Sequence, residues 1–343
     1  MCTQKSDILI DVKDLRVNIK VDSGILNAVR GVNFSIRRGE TLGLVGESGC
    51  GKCITSKAIL GINAKNVAAT GEAIFYDDGC QPVDLLKLKR DSKEIRAIRG
   101  GRISMIFQEP MTAFSPLYTI GNQLIEMIRL HRTRDKKQAR ELAIQMLEKV
   151  GIANPEKRID QYPHEFSGGM LQRALIAMAL SCNPAMLIAD EPTTALDVTI
   201  QAQILELMKA LQQEFHMAIL FITHDLGTVA AMCDNVAVMY LGEIVEYGPV
   251  REIFHSPQHP YTIGLLRSVP KTGGEAKARL ASIEGSVPVP TNLPETCGFY
   301  DRCPMRLEGK CLAGPAAVRE VGEGHYVRCM LTEEELKAGA QYE

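Results

Sequence analysis

Thr41-Leu42-Gly43-Leu44-Val45-Gly46-Glu47-Ser48-Gly49-Cys50-Gly51-Lys52-Cys53 is the stretch that decides the fold. It opens with a short apolar run of the kind that suits a buried parallel strand. A glycine-rich loop follows, and CITSKAILGI then reads as a helix ending near Gly61. Glycines in such a loop let successive backbone N–H groups turn toward one point, and the following helix N-terminus adds positive potential there. Between a strand and a helix, G-x-x-x-x-G-K is a cradle for nucleotide phosphates, with Lys52 placed to reach the β- and γ-phosphates. One residue departs from the pattern. Such loops normally end Gly-Lys-Ser or Gly-Lys-Thr, because the hydroxyl binds magnesium, whereas this one ends Gly51-Lys52-Cys53.

Composition narrows the classes around that loop. The chain has 343 residues, 45% apolar and 23% charged, with a net charge of −2. That is an ordinary globular balance, long enough for one or two domains, with no global basic field for nucleic acid. No run of about eighteen apolar residues suggests a bilayer span, and the N-terminus MCTQKSDILI has no apolar signal core, so the chain is expected to stay in the cytoplasm. Of the ten cysteines, Cys2, Cys50, Cys53, Cys80, Cys182 and Cys233 are scattered, while Cys297, Cys303, Cys311 and Cys329 cluster near the end. In a cytosolic chain a local cysteine cluster points to metal rather than to disulfides.

The rest of the chain alternates strands and helices. Ile8 to Lys20 and Val32 to Ile36 read as strands, Ala185 to Ala189 and Met217 to Ile222 as buried core strands. Arg134 to Val150, stopped by Gly151, and Val198 to Leu211 have helical spacing. This order predicts a mostly parallel sheet covered on both faces. After Phe254, the Pro- and Gly-rich HSPQHPY, VPKTGGEAKA and SVPVPTNLPE suggest a linker and a small appended module from about 256 onward.

Two further stretches carry chemistry. Asp190-Glu191 closes an apolar strand: Asp190 suits a magnesium contact through water, and Glu191 suits a general base polarising an attacking water. An ordinary acidic strand end is the plainer reading of that pair taken alone. Ser167-Gly168-Gly169-Met170, just before a helical run, again offers a hydroxyl and backbone N–H groups at a positive helix end.

Taken in order, these motifs resemble the ATP-binding cassette of ABC transporters over roughly residues 8 to 255. The resemblance implies a P-loop NTPase cassette of α/β class: a RecA-like core, an antiparallel β subdomain and a helical subdomain over about 110–180. It makes Gly46, Glu47, Ser48, Gly49, Cys50, Gly51, Lys52 and Cys53 the ATP loop, with Ile19 covering the adenine where such cassettes usually stack an aromatic. Gln108 resembles the Q-loop glutamine that touches magnesium and the membrane partner. Ser167 to Met170 resemble the signature motif that completes the ATP site of a second cassette, and Asp197, in Ala195-Leu196-Asp197, the D-loop. His224 resembles the switch histidine that contacts the γ-phosphate. Asp190, Gln108 and, less suitably, Cys53 fall at the magnesium positions.

FQEPMTAFSPLYT (107–119), YPHEFSGGM (162–170), ADEPTTALDVT (189–199) and HPYT (259–262) look like the ATPase subunits of oligopeptide/dipeptide importers. That family implies import of peptides or related small solutes, powered by ATP at the cytoplasmic membrane face. It implies as partners a pair of transmembrane permeases, a second and different cassette subunit, and, indirectly, an extracytoplasmic solute-binding protein. Residues 256–343 would be the family's C-terminal extension. Its spacing, C-x5-C-x7-C-x17-C, resembles a motif that carries a [4Fe–4S] cluster in some members. Four thiolates could equally hold zinc, though structural zinc sites usually begin with closer pairs, and buried free thiols are the third reading. His325 reads as a surface residue or a neighbour of that site.

The departures all fall in the ATP pocket. Cys50 should matter little, because its position gives a backbone N–H. Cys53 matters more, since magnesium prefers oxygen to sulfur, and Thr55 points elsewhere. These changes predict a loop that binds ATP but turns it over slowly, with a faster site on the partner. A non-transport cassette ATPase and an iron–sulfur sensor with a weakened ATP site stand as alternatives. A GTPase is disfavoured by the lack of Asn-Lys-x-Asp.

Overall fold

The computed structural model describes residues 7–22, 24–77, 81–194, 196–269, 283–291, 293 and 295–340. Cys2, Cys80, Ala195 and the Pro/Gly-rich run over 270–282 lie outside them. The chain divides into two compact units, one of Met1–Ile10, Ile36–Thr41 and Phe75–Ile222, the other of Asp11–Ser35, Leu42–Ile74 and Thr223–Glu343.

In the first unit the strands Ile103–Ile106, Met186–Asp190 and Ala218–Thr223 pair in parallel, with Ile103 opposite Met186 and Ile188 opposite Leu220. Every residue of the latter two strands is buried, which is why they read as unbroken apolar runs rather than as alternating ones. Gln212, on the helix Val198–Phe215, donates to the Gly39 carbonyl (2.9 Å) and to Thr41 Oγ1 (2.8 Å), satisfying its own buried amide. The helices Ile120–His131, Lys136–Lys149 and Gly168–Leu180 pack together beside these strands. Each begins on a capping side chain, Thr119, Asp135 and Ser167 respectively, that accepts a first-turn N–H. Ala139, Ala143, Met146 and Leu147 supply the buried stripe of Lys136–Lys149, and Gly151, at φ +77°, ends that stretch.

In the second unit, Thr41–Val45 runs parallel to Asn235–Tyr240, with Leu42 opposite Asn235 and Val45 opposite Val238. Glu243–Pro249 returns antiparallel to Asn235–Tyr240 and pairs on its other side with His325–Arg328, which pairs with Val318–Gly322. The C-terminal segment thus extends the sheet that carries the strand leading into the glycine loop. The strands Gly24–Arg37, Ile8–Val21 and Val67–Phe75 lie side by side in that order. Gly24–Arg37 begins well before the expected Val32, because it pairs with Ile8–Val21 along the sheet; Leu26 also bridges to Thr291, and the Asn27 N–H donates to Pro290 O (2.9 Å).

His325 corrects its reading as a surface residue. It is 3% exposed, and its Nε2 lies 2.8 Å from Glu246 Oε1. Glu246, also buried, accepts the backbone N–H groups of Gln258 (2.6 Å) and His259 (3.0 Å). A carboxyl group this deep is tolerated because each of its oxygens has a hydrogen-bond partner. The contact locks the strand His325–Arg328 to the turn that precedes the helix Pro260–Arg267.

Candidate functional site: the glycine loop and the acidic strand end

The loop after Val45 is built by backbone conformation. Gly46, Gly49 and Gly51 have φ of +150°, +81° and +111°, values that residues with a Cβ rarely adopt. Gly46 also has no room for one: a Cβ there would sit 2.2 Å from Met239 O. Gly51 caps the helix Lys52–Ile59, so that helix's free N–H groups open onto the loop. Cys50 points inward, 1% exposed; burial raises its thiol pKa, and its carbonyl accepts the Gly242 N–H (2.9 Å). Lys52 Nζ folds back over the loop, donating to Gly46 O (2.7 Å) and Glu47 O (3.0 Å). This is a cationic, N–H-rich concavity suited to a polyphosphate.

Cys53 stands half-buried in the first turn of that helix. The two hydroxyls that follow it on the helix are engaged elsewhere. Thr55 is fully buried and donates to Gly51 O (2.8 Å), while Ser56 donates to Cys53 O (2.9 Å). Ile19 is half-buried on the strand Ile8–Val21 of the same unit.

Two contacts on the loop had no signal in local sequence. The Tyr261 hydroxyl accepts the Glu47 N–H at 2.8 Å, across 214 residues. Arg302 grips the Glu47 carboxylate with both ends of its guanidinium, at 2.7 and 2.9 Å, across 255 residues. Tyr261 itself is fixed by HPYT. His259 Nδ1 accepts the Tyr261 N–H (3.1 Å) as the cap of the helix Pro260–Arg267, and Tyr240, Tyr261 and Phe299 form a ring cluster with centroids 4.7 to 5.4 Å apart.

Burial pushes His259 down to about pKa 4 from 6.5. Below pH 6.5 the unfolded chain therefore binds a proton that the fold excludes. Stability should be level above that pH and fall as pH drops toward 4, by about 2 kcal/mol between pH 7 and 5 from this residue. His259→Asn, which keeps a capping acceptor, should lose that component of the slope in urea melts across this range. An unchanged slope would remove His259 as its source.

In the other unit, Asp190 ends its strand 3% exposed. Glu191, immediately after, has φ +48°, a conformation that costs a non-glycine residue on the order of 1 kcal/mol and that clusters at functional sites. Its N–H donates to Ile222 O (2.9 Å), and its Oε2 accepts from Gln108 Nε2 (2.9 Å) and Thr194 Oγ1 (3.0 Å). Gln108 and Glu191, far apart in sequence, are thus brought into direct contact. A carboxylate aimed by two donors is the arrangement a general base needs. Ser167 Oγ accepts the Met170 N–H (3.3 Å); Ser167 and Gly168 are exposed at the helix start, with Gly169 and Met170 half-buried beside them. Asp197 caps Val198–Phe215 through the Ile200 N–H (3.0 Å) and is exposed. His224 is exposed at the end of Ala218–Thr223.

The cysteine cluster does not fit a metal site as it stands. Cys303, Cys311 and Cys329 are buried and Cys297 is half-buried. They lie close enough for a charge on one to oppose a charge on another, and Cys297 N–H donates to Cys311 O (3.3 Å). Burial pushes Cys303 up to about 12 and Cys329 up to about 11. Among the described residues no three His, Cys, Asp or Glu side chains converge as ligands.

Known proteins give this arrangement its class. Residues 29–194 match the ABC transporter family, and residues 245–311 match the oligopeptide/dipeptide transporter C-terminal region. The oligopeptide transport ATP-binding protein OppD of Escherichia coli (strain K12) is 46% identical over 336 residues, 98% of this chain and 97% of its own. AppD of Bacillus subtilis (strain 168), also an oligopeptide transport ATP-binding protein, is 47% identical over 335 residues, 95% and 98% of the two chains. Among solved structures, a dimeric ATP-binding cassette in a post-hydrolysis state bound to ADP and Pi aligns with TM-score 0.61 at 27% identity, covering 71% of this chain and 99% of that one.

The chain is an ATP-binding cassette and belongs to the ABC transporter family, in its oligopeptide/dipeptide importer branch.

Proposed function

We propose that this chain binds and hydrolyses ATP to power import of peptides or related small solutes through an ABC transporter. Two built features, one in each unit, support the proposal: the glycine loop with Lys52 curled over it, and Glu191 held by Gln108 and Thr194. The relatives named for oligopeptide transport supply the cargo class.

In this reading the loop N–H groups and Lys52 hold the phosphates. Glu191 takes a proton from water as that water attacks the γ-phosphorus in line, the bond to the β–γ bridging oxygen breaks and ADP leaves, and His224 steadies the developing charge on the phosphoryl oxygens. Magnesium, held from Asp190 and Gln108, would supply charge neutralisation on the β- and γ-oxygens. Ser167, Gly168, Gly169, Met170 and Asp197 face a second cassette. Gln108 and the helices after it relay closure to a pair of permeases at the cytoplasmic membrane face, with a solute-binding protein delivering cargo. No helix among the described residues is long and apolar enough to cross a membrane. The four cysteines enter as free thiols, three buried and Cys297 half-buried.

Cys53 sets the finer part of the proposal: a loop that holds ATP with little help from magnesium. The test is an ATP titration of the purified chain with and without magnesium. Wild type should bind ATP and Lys52→Ala should lose most of that affinity. Cys53→Ser should gain at least about threefold more from magnesium than wild type does. Equal magnesium gains would make Cys53 a neutral variant. ATP binding that survives Lys52→Ala unchanged would end the phosphate-loop reading itself.

A further inference from the structure

Glu47 is electrostatically out of place. It puts a carboxylate second in a loop whose other groups all favour an anion, and like charge beside a polyphosphate opposes binding. The structure shows how that charge is handled. Arg302 Nη1 and Nη2 donate to its two oxygens at 2.7 and 2.9 Å, with the Arg302 side chain 7% exposed and that of Glu47 28%. Arg302 is itself held in place. Its Nε donates to Glu284 O (2.8 Å), its Nη2 also reaches Gly285 O (3.2 Å), and its guanidinium lies over the Tyr240 ring at 5.8 Å. A fork fixed by carbonyls on one side and a ring on another loses little further freedom in gripping a carboxylate. Tyr261 secures the backbone of the same residue through the Glu47 N–H.

We propose that Arg302 is a positioning residue of the ATP site. By pairing with Glu47 it cancels the one repulsive charge in the phosphate loop, so the C-terminal segment is part of the nucleotide site rather than an appendage. The inference rests on the reading of this loop as the ATP loop. A brace that served only the fold would weaken stability when cut but would leave the sign of the Glu47 charge irrelevant to ATP. The pairing makes the opposite claim, that the harm done by losing Arg302 acts through the Glu47 charge.

The experiment is an equilibrium titration of the full chain with ATP at low and high salt. Arg302→Gln should raise the ATP Kd about tenfold at low salt and less at high salt, where the bare Glu47 charge is screened. Adding Glu47→Gln to that variant should bring Kd back to within about threefold of wild type. Glu47→Gln alone keeps the side-chain shape and an acceptor for Arg302, and should bind ATP several-fold more tightly than wild type. That single variant carries the test should Arg302→Gln fail to fold. Arg306→Gln, whose parent side chain donates to Asp301 O and lies over the Tyr300 ring, serves as the control and should match wild type. Arg302→Gln binding ATP like wild type, a double variant no tighter than Arg302→Gln, or a Glu47→Gln that binds no better than wild type would each overturn the proposal. A wild-type chain whose ATP binding does not need Lys52 would instead overturn the ATP reading on which it stands.

Discussion

Glu191→Gln should abolish ATP turnover, by at least about a hundredfold, while ATP continues to bind. The amide keeps the size of the side chain and an oxygen to accept from Gln108 and Thr194, so the fold around it is preserved. In the proposed mechanism what disappears is the basic oxygen that would take the proton of the attacking water, and a well-placed general base contributes about 10²–10⁴ in rate. The backbone at Glu191 is already held at φ +48° by its N–H bond to Ile222 O, so the strain is independent of the side-chain change. ATP affinity and turnover measured on the same sample separate the two effects. Glu191→Gln with near-normal turnover would move the base elsewhere.

Gly46→Ala should have the largest effect on the loop as a structure. The added Cβ would lie 2.2 Å from Met239 O and 2.9 Å from Cys50 Sγ, and the residue would have to hold φ +150°. The oxygen belongs to the backbone of a buried strand and cannot yield as a flexible side chain would. Loss of about 3 kcal/mol or more of stability is expected, together with loss of ATP binding. Gly49→Ala is the informative companion. Its φ is +81°, but a Cβ there meets nothing within 4 Å, so it carries the conformational cost without the collision. It should cost about 1 kcal/mol. Urea melts of the two variants would expose an error in this account if they came out equal.

The local part of the design was legible in sequence. Thr41–Val45 has the expected bounds, and the helix that follows it spans Lys52–Ile59, because an apolar run, a glycine turn and a helix start are encoded within a few residues. The buried strand ending at Asp190 was legible for the same reason. What could not be read depends on distant partners. Gly24–Arg37 begins before its apolar stretch because it pairs with the neighbouring strand Ile8–Val21. His325 is buried because its Nε2 packs 2.8 Å from the carboxyl of Glu246, 79 residues away in sequence. HPYT was legible as a shared element, but not that its tyrosine reaches Glu47. Arg302 carried no signal of its own, lying one residue before a cysteine that drew attention to metal chemistry instead. The cysteine spacing shows the limit of such patterns. It placed Cys297, Cys303, Cys311 and Cys329 near one another, yet proximity did not make a convergent ligand set.

The central claim is that ATP hydrolysis by this chain drives peptide import. Its most direct test is uptake of a labelled oligopeptide into membrane vesicles holding the chain together with its permeases and solute-binding protein. Uptake that requires ATP, vanishes with Glu191→Gln and is accompanied by peptide-stimulated phosphate release is the predicted result. Uptake that persists with Glu191→Gln, or phosphate release indifferent to peptide, would contradict it.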